Sequence, residues 1–289
     1  MNFRNVRAIT IPEGHVMRIL AGTKAIWKKF LVTAGGLLFQ LAKDGTNYRC
    51  VDVEDSGETS ITVPSVVNSA PVKTIGADAF SGYTAIASVT IAESVDTIEE
   101  NAFAGCTSLK TVRFQGDIAS IDATAFSGLS TPTFHSSGGT DFSNAPWGTT
   151  NPIFYIDGIK YRQTTTTSRK PQYVVDAPNS AFIGGVVHIM GRIGDIIVSE
   201  LDSGTFKGYT NITEAIIPAE IKWIEASLFQ NCTNLKKVTF KSKPSTISTS
   251  IFSGCTGLTD IYVPWAEGAV SGAPWGAPAN PTIHYNYTS

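Results

Sequence analysis

The sequence predicts a repeat solenoid, mostly β, arranged as two short blocks in tandem. Three observations carry this. Phe80, Phe103 and Phe126 stand 23 residues apart, and so do Phe206, Phe229 and Phe252. The second set follows the first at a constant offset of 126 residues. Five residues before each Phe stands an aliphatic side chain: Ile75, Ile98, Ile121, Leu201, Ile224 and Ile247. A fixed period of this size marks a chain in which each repeat is one supersecondary unit, burying its apolar face only against its neighbours.

The composition agrees. The chain has 289 residues, 42% of them hydrophobic and 16% charged, enough for a real core and unlike a disordered segment. With 26 Gly and 14 Pro it favours turns and strands over long helices. A formal net charge of −2 gives no electrostatic reason to expect nucleic acid. The apolar runs at 30–42 and 181–198 are too short or carry His188, Arg192 and Asp195, so membrane insertion is not expected. Residues 1–29 lack the apolar stretch and cleavage site of a signal peptide.

In chain order, residues 1–29 alternate apolar and polar (Ile9, Ile11, Val16, Ile19), which reads as a small hairpin or meander. Residues 1–36 are taken as an N-terminal hairpin and docking segment, with 30–36 as the joint. Next come three strand-like stretches, at 37–41, 48–53 and 59–63, separated by turns at 44–46 and 56–57. They are expected to form an antiparallel pair or triple that covers the open end of the solenoid. Three coils follow. In each, the segment before the Phe (Asp78-Ala79-Phe80, Asn101-Ala102-Phe103) suits one helical or 3₁₀ turn. The residues nine and eleven after it (Val89 and Ile91, Val112 and Phe114) read as the inward side of a short strand. The third coil slips, with Phe134 in place of the expected pair. The segment Ala145-Pro146-Trp147-Gly148 ends the first block and Ala273-Pro274-Trp275-Gly276 the second, so each Trp is expected to pack as a cap. The blocks are set at 37–156 and 157–289.

The coil unit can now be compared with a known pattern. Ile75-Gly-Ala-Asp-Ala-Phe80-Ser-Gly-Tyr and Ile98-Glu-Glu-Asn-Ala-Phe103-Ala-Gly-Cys-Thr-Ser-Leu109-Lys-Thr-Val112 resemble the repeat of BspA-like leucine-rich repeat proteins. The spacing and five of the six coils fit, over most of residues 37–287. The asparagine-ladder position of other leucine-rich repeats is absent. The resemblance implies a noncatalytic bacterial binding or adhesion protein that meets a protein or glycan partner at a cell surface. A softer resemblance, carried by Ala25-Ile-Trp27-Lys-Lys and by Val263-Pro-Trp265 with the final Ile283-His-Tyr285, is to prophage tail or receptor-binding proteins. It implies a virion component docked through residues 1–29. On either reading the protein acts outside the cell or on a particle.

No catalytic constellation is found. Glu99 and Glu100 are adjacent and splay apart, and no phosphate-binding or nucleophile-elbow pattern occurs. The acidic run from Asp52 to Glu58 fails the spacing of a calcium loop and reads as a solvated turn. Cys106, Cys232 and Cys255 occupy a slot that holds Tyr83, Leu129 and Tyr209 in the other coils, which points to a buried free thiol. A Cys232–Cys255 bridge is the alternative. Neither a metal nor a cofactor is expected. The outward strand positions, eight and ten after each Phe, are the candidate partner-binding residues: Thr111 and Arg113, Glu214 and Ile216, Lys237 and Thr239, Asp260 and Tyr262. Lys222, Lys236, Lys241, Lys243 and Trp223 are grouped with the second-block residues among them.

Overall fold

The structure, a computed structural model, describes residues 9–11, 15–17, 31–43, 45–53, 57–136, 139–164, 172–178, 182 and 184–288. Among these, strands and turns make up the whole fold and there is no helix, so none could cross a membrane. The chain divides into two compact units, Met1–Thr150 and Asn151–Ser289. Docking through residues 1–29 falls almost wholly outside the described residues; the part described is an antiparallel pair, Ile9–Ile11 with His15–Met17.

In the first unit an antiparallel meander leads in: Leu31–Ala34, Leu37–Leu41, Tyr48–Val53. The segment at 30–36 is therefore mostly strand rather than joint. Gly35 and Gly36 make its turn at φ 59° and 75°, the left-handed pair that a two-residue hairpin loop requires. Tyr48–Val53 then starts a parallel ladder through Ala70–Ile75, Thr97–Ile98 and Ser120–Ile121. Ser60–Val63 does not join the meander, as the sequence suggested. It opens a second parallel ladder through Ser88–Ile91, Thr111–Phe114 and Thr133–Ser136. Phe134 lies opposite Val112 and is fully buried, so the slipped coil keeps its inward residue.

The third side of each coil is the segment around the Phe. It is a run of tight i→i−3 turns (Ala79 N–H to the Gly76 carbonyl, Tyr83 N–H to the Phe80 carbonyl) that never extends into a helix, and the reason lies in the donors between them. The N–H groups of Phe80, Phe103 and Phe126 bond to the carbonyls of Ala102, Ala125 and Trp147, one coil further on (2.7, 2.7 and 3.0 Å). Donors committed between coils cannot bond within a helix. Two residues before the Phe the chain takes φ 57° at Asp78 and 53° at Asn101, a conformation that Asp and Asn tolerate better than most residues.

The second unit repeats this plan. Its meander is Ile153–Ile156, Ile159–Thr164 and Gln172–Asp176. One ladder runs through Ile196–Leu201, Trp223–Ile224 and Thr246–Ile247. The other runs Gly185–His188, Ile212–Ile217, Lys237–Phe240, Asp260–Tyr262 and Thr282–His284.

Inside, the coil phenylalanines form columns. Phe80, Phe103 and Phe126 stack at 4.7 and 5.0 Å with planes 2° apart; Phe206, Phe229 and Phe252 stack at 5.3 and 6.0 Å. Trp147 closes the first column against Phe126 and Phe134, and Trp275 the second against Phe240 and Phe252. Both Trp are fully buried, as caps should be, and each follows a cis Ala–Pro bond.

Candidate functional site

In a parallel ladder the inward residues of each strand are fixed by packing, and the residues between them stand in rows across the sheet. On the second unit's five-stranded ladder, one row reads Val186, Glu214, Lys237, Asp260, Thr282. The next reads His188, Ile216, Thr239, Tyr262, His284. The Glu214 carboxylate lies 2.8 Å from Lys237 Nζ. That nitrogen sits 5.5 Å over the Tyr262 ring, on which His284 stacks at 4.2 Å and 7°. His284 Nε2–H donates to Asp260 Oδ1 at 2.8 Å. Tyr287 closes edge-on against Tyr262 at 4.8 Å.

The electrostatics follow the pairs. The hydrogen bond to Glu214 holds the Lys237 ammonium above its ordinary range. The hydrogen bond from His284 holds the Asp260 carboxyl below the usual range. Both groups therefore stay charged near neutral pH, on a surface that alternates acid, base, acid beside an aromatic pair. The chemistry this offers is recognition of cationic, hydroxyl-bearing or aromatic groups.

Glu214, Ile216, Lys237, Asp260 and Tyr262 thus come together, half-exposed, on one face. Thr239 is a correction. It is only 5% exposed, because its short side chain lies in register between Ile216 and Tyr262, which stand above it. Lys222 and Trp223 are corrected too: the Trp223–Ile224 strand belongs to the other ladder, away from this face. Sequence reasoning missed His284, Tyr287, Val186 and His188. The signal was present: Asn280-Pro281-Thr-Ile-His284 repeats the pattern of Asn151-Pro152-Ile-Phe-Tyr155 and marks one more strand after the third coil.

Thr111 and Arg113 lie on the matching ladder of the first unit, half-buried and exposed respectively. Their rows are Ser60, Ser88, Thr111, Thr133 and Thr62, Thr90, Arg113, His135. Hydroxyls dominate here. Ser88 Oγ donates to Ser60 Oγ at 2.9 Å. Burial, reinforced by Arg113, pushes His135 below its ordinary pKa.

The cysteines are free and buried. Each coil thiol donates to the carbonyl of the Phe one coil earlier: Cys106 to Phe80, Cys232 to Phe206 and Cys255 to Phe229, all at 2.9 Å. In the first coil of each block the slot holds a Tyr that reaches back to the preceding segment, Tyr83 to Val53 and Tyr209 to Pro178. Among the described residues, no three His, Cys, Asp or Glu side chains gather as a metal site would require.

Stacked coils with conserved-shape interiors and a variable strand face define a solenoid repeat protein. The chain belongs to the BspA type leucine rich repeat family: six copies of that repeat span residues 58–140 and 195–267, more than half of the chain. No curated protein matches it. Among solved structures, a leucine-rich repeat protein from Bacteroides capillosus is 26% identical, covering 44% of this chain and 99% of that one at a TM-score of 0.38. A leucine rich cell surface protein from Faecalibacterium prausnitzii is 17% identical over 89% of this chain and 95% of that one, at 0.32. The T. pallidum leucine-rich repeat protein is 16% identical over 80% of each chain, at 0.27. Family membership rests on the six repeat copies, not on these superpositions.

Proposed function

We propose that this protein is a noncatalytic binding protein, displayed outside the bacterial cell, that takes a protein or glycan partner on the outward strand face of its second block. One observation carries the reading: Glu214, Lys237, Tyr262, His284 and Asp260 form a continuous chain of contacts on the surface of a ladder whose inward residues are wholly occupied by packing. Membership of a repeat family in which the interior is fixed and the face is free supports it. So does the contrast between the two blocks, whose inward residues match while their outward rows have diverged from hydroxyls to charges and rings.

The test is the double substitution Lys237→Ala with Tyr262→Ala, measured on a panel of immobilised glycans and extracellular matrix proteins. Both side chains point outward, so the melting temperature is expected to change little. Any interaction of the unmodified protein is expected to weaken at least tenfold. Undiminished binding by a folded double variant would overturn the assignment.

A further inference from the structure

We infer that the outer edge of the Thr282–His284 strand is a docking edge for an extended segment that adds antiparallel and carries a basic–aromatic–basic pattern. The inference rests on the proposed face only in placing the partner on the same sheet. Among the described residues this strand ends its ladder, pairing only with Asp260–Tyr262. Thr282 N–H donates to the Thr259 carbonyl (2.8 Å) and Val263 N–H to the His284 carbonyl (3.0 Å). Alternation along a strand then turns the N–H and C=O of Ile283 outward, where a further strand would meet them.

The chain itself shows what fits there. Ile153–Ile156 is the same strand by sequence, 129 residues earlier. Asn151 and Asn280 precede the two strands at φ 48° and 47°, and Asp157 and Asn286 follow them at φ 50° and 54°. In the earlier copy Gly158 continues the turn at φ 78°, and Ile159–Thr164 folds back antiparallel on the open edge. It sets Arg162 opposite Ile153, Tyr161 opposite Phe154 and Lys160 opposite Tyr155. In the later copy Tyr287 replaces that glycine. Its N–H bonds to the Val263 carbonyl at 3.0 Å and its ring packs on Tyr262, so residues 285–287 turn back onto their own block and, among the described residues, no strand pairs on that edge.

The side chains agree. Phe154, covered by the added strand, is fully buried, whereas its counterpart Ile283 is only half-buried. An incoming aromatic residue would cover Ile283. In the same register its Arg would lie opposite Thr282 and its Lys opposite His284, one strand from the Asp260 carboxylate, the reach over which Arg162 meets Asp202 in the earlier copy.

The probe is a fluorescein-labelled peptide Ile-Lys-Tyr-Arg-Gln-Thr, the sequence of Ile159–Thr164, titrated by anisotropy against the full chain. Saturable binding is expected, weakened at least tenfold by Ile283→Pro. Because that variant could disturb the ladder, the same loss must follow from N-methylating the peptide's Tyr, which leaves the protein untouched. Replacing the peptide's Lys and Arg by Glu should weaken binding by a similar factor. No binding, or binding indifferent to both backbone blocks, overturns the inference. So does a dimer of this chain that Ile283→Pro dissolves and the peptide fails to compete, because the edge would then belong to a second copy. Failure here is separable from failure of the face: Lys237→Ala alone tests the face while leaving Tyr262, Tyr287 and Ile283 in place.

Discussion

Because the thiols of Cys106, Cys232 and Cys255 each reach back to the previous coil's Phe carbonyl, they serve as short links between rungs. Burial raises them to about 11, 12 and 11, and raises Cys50, at the start of the first ladder, to about 12. The unfolded thiols titrate near 9, so between about 9 and 11 the folded state holds protons that the unfolded state has released. Stability therefore falls as pH rises through that window, by up to about 1.4 kcal/mol per pH unit for each thiol. Urea midpoints at pH 8, 9 and 10 should decline, and Cys255→Leu, which copies Leu129 of the third coil, should flatten the slope. A slope unchanged by that variant would count against the burial argument. The core role of this slot was legible in the sequence because it accepts Tyr and Leu elsewhere. The burial of Thr239 was not, since it depends on how tall Ile216 and Tyr262 stand beside it.

At the scale of the coil, Phe103 lies between two parallel rings, at 4.7 and 5.0 Å. Phe103→Ala is expected to cost about 3–5 kcal/mol by the transfer and cavity terms together. Thermal or urea unfolding will read this directly. Two residues on, Gly105 holds φ 70° with only ordinary contacts around a would-be Cβ. Gly105→Ala should therefore cost only the left-handed penalty, roughly 1–2 kcal/mol. A much larger loss would mean that a steric clash, not the dihedral, sets the glycine. Periodicity made the inward slots readable. It misplaced the strand at Ser60–Val63, because that pairing depends on a partner one coil away, which local spacing does not report.

At the scale of the molecule, duplication has kept two interiors alike and let two faces part. Ser60, Ser88, Thr111 and Thr133 form a hydroxyl row where the second block places Val186, Glu214, Lys237 and Asp260. If the second face is the partner's, Arg113→Ala in the first should change affinity by less than about twofold while Lys237→Ala with Tyr262→Ala removes most of it. Equal losses would assign the partner to both faces. The fold was readable from Phe spacing alone. The candidate face was readable only as far as the third coil, because His284 lies on a strand outside the 23-residue count and Tyr287 on the turn that follows it.

One step of each outward ladder is 22 residues rather than 23, from Val112 to Phe134 and from Ile261 to Ile283, yet the rungs stay in register. Alignment is thus enforced by which side chain can occupy the interior, with the corners absorbing any surplus or deficit of chain. Corner length is then nearly neutral to selection, and a lineage of such proteins can gain or lose residues between rungs while its recognition surface changes independently.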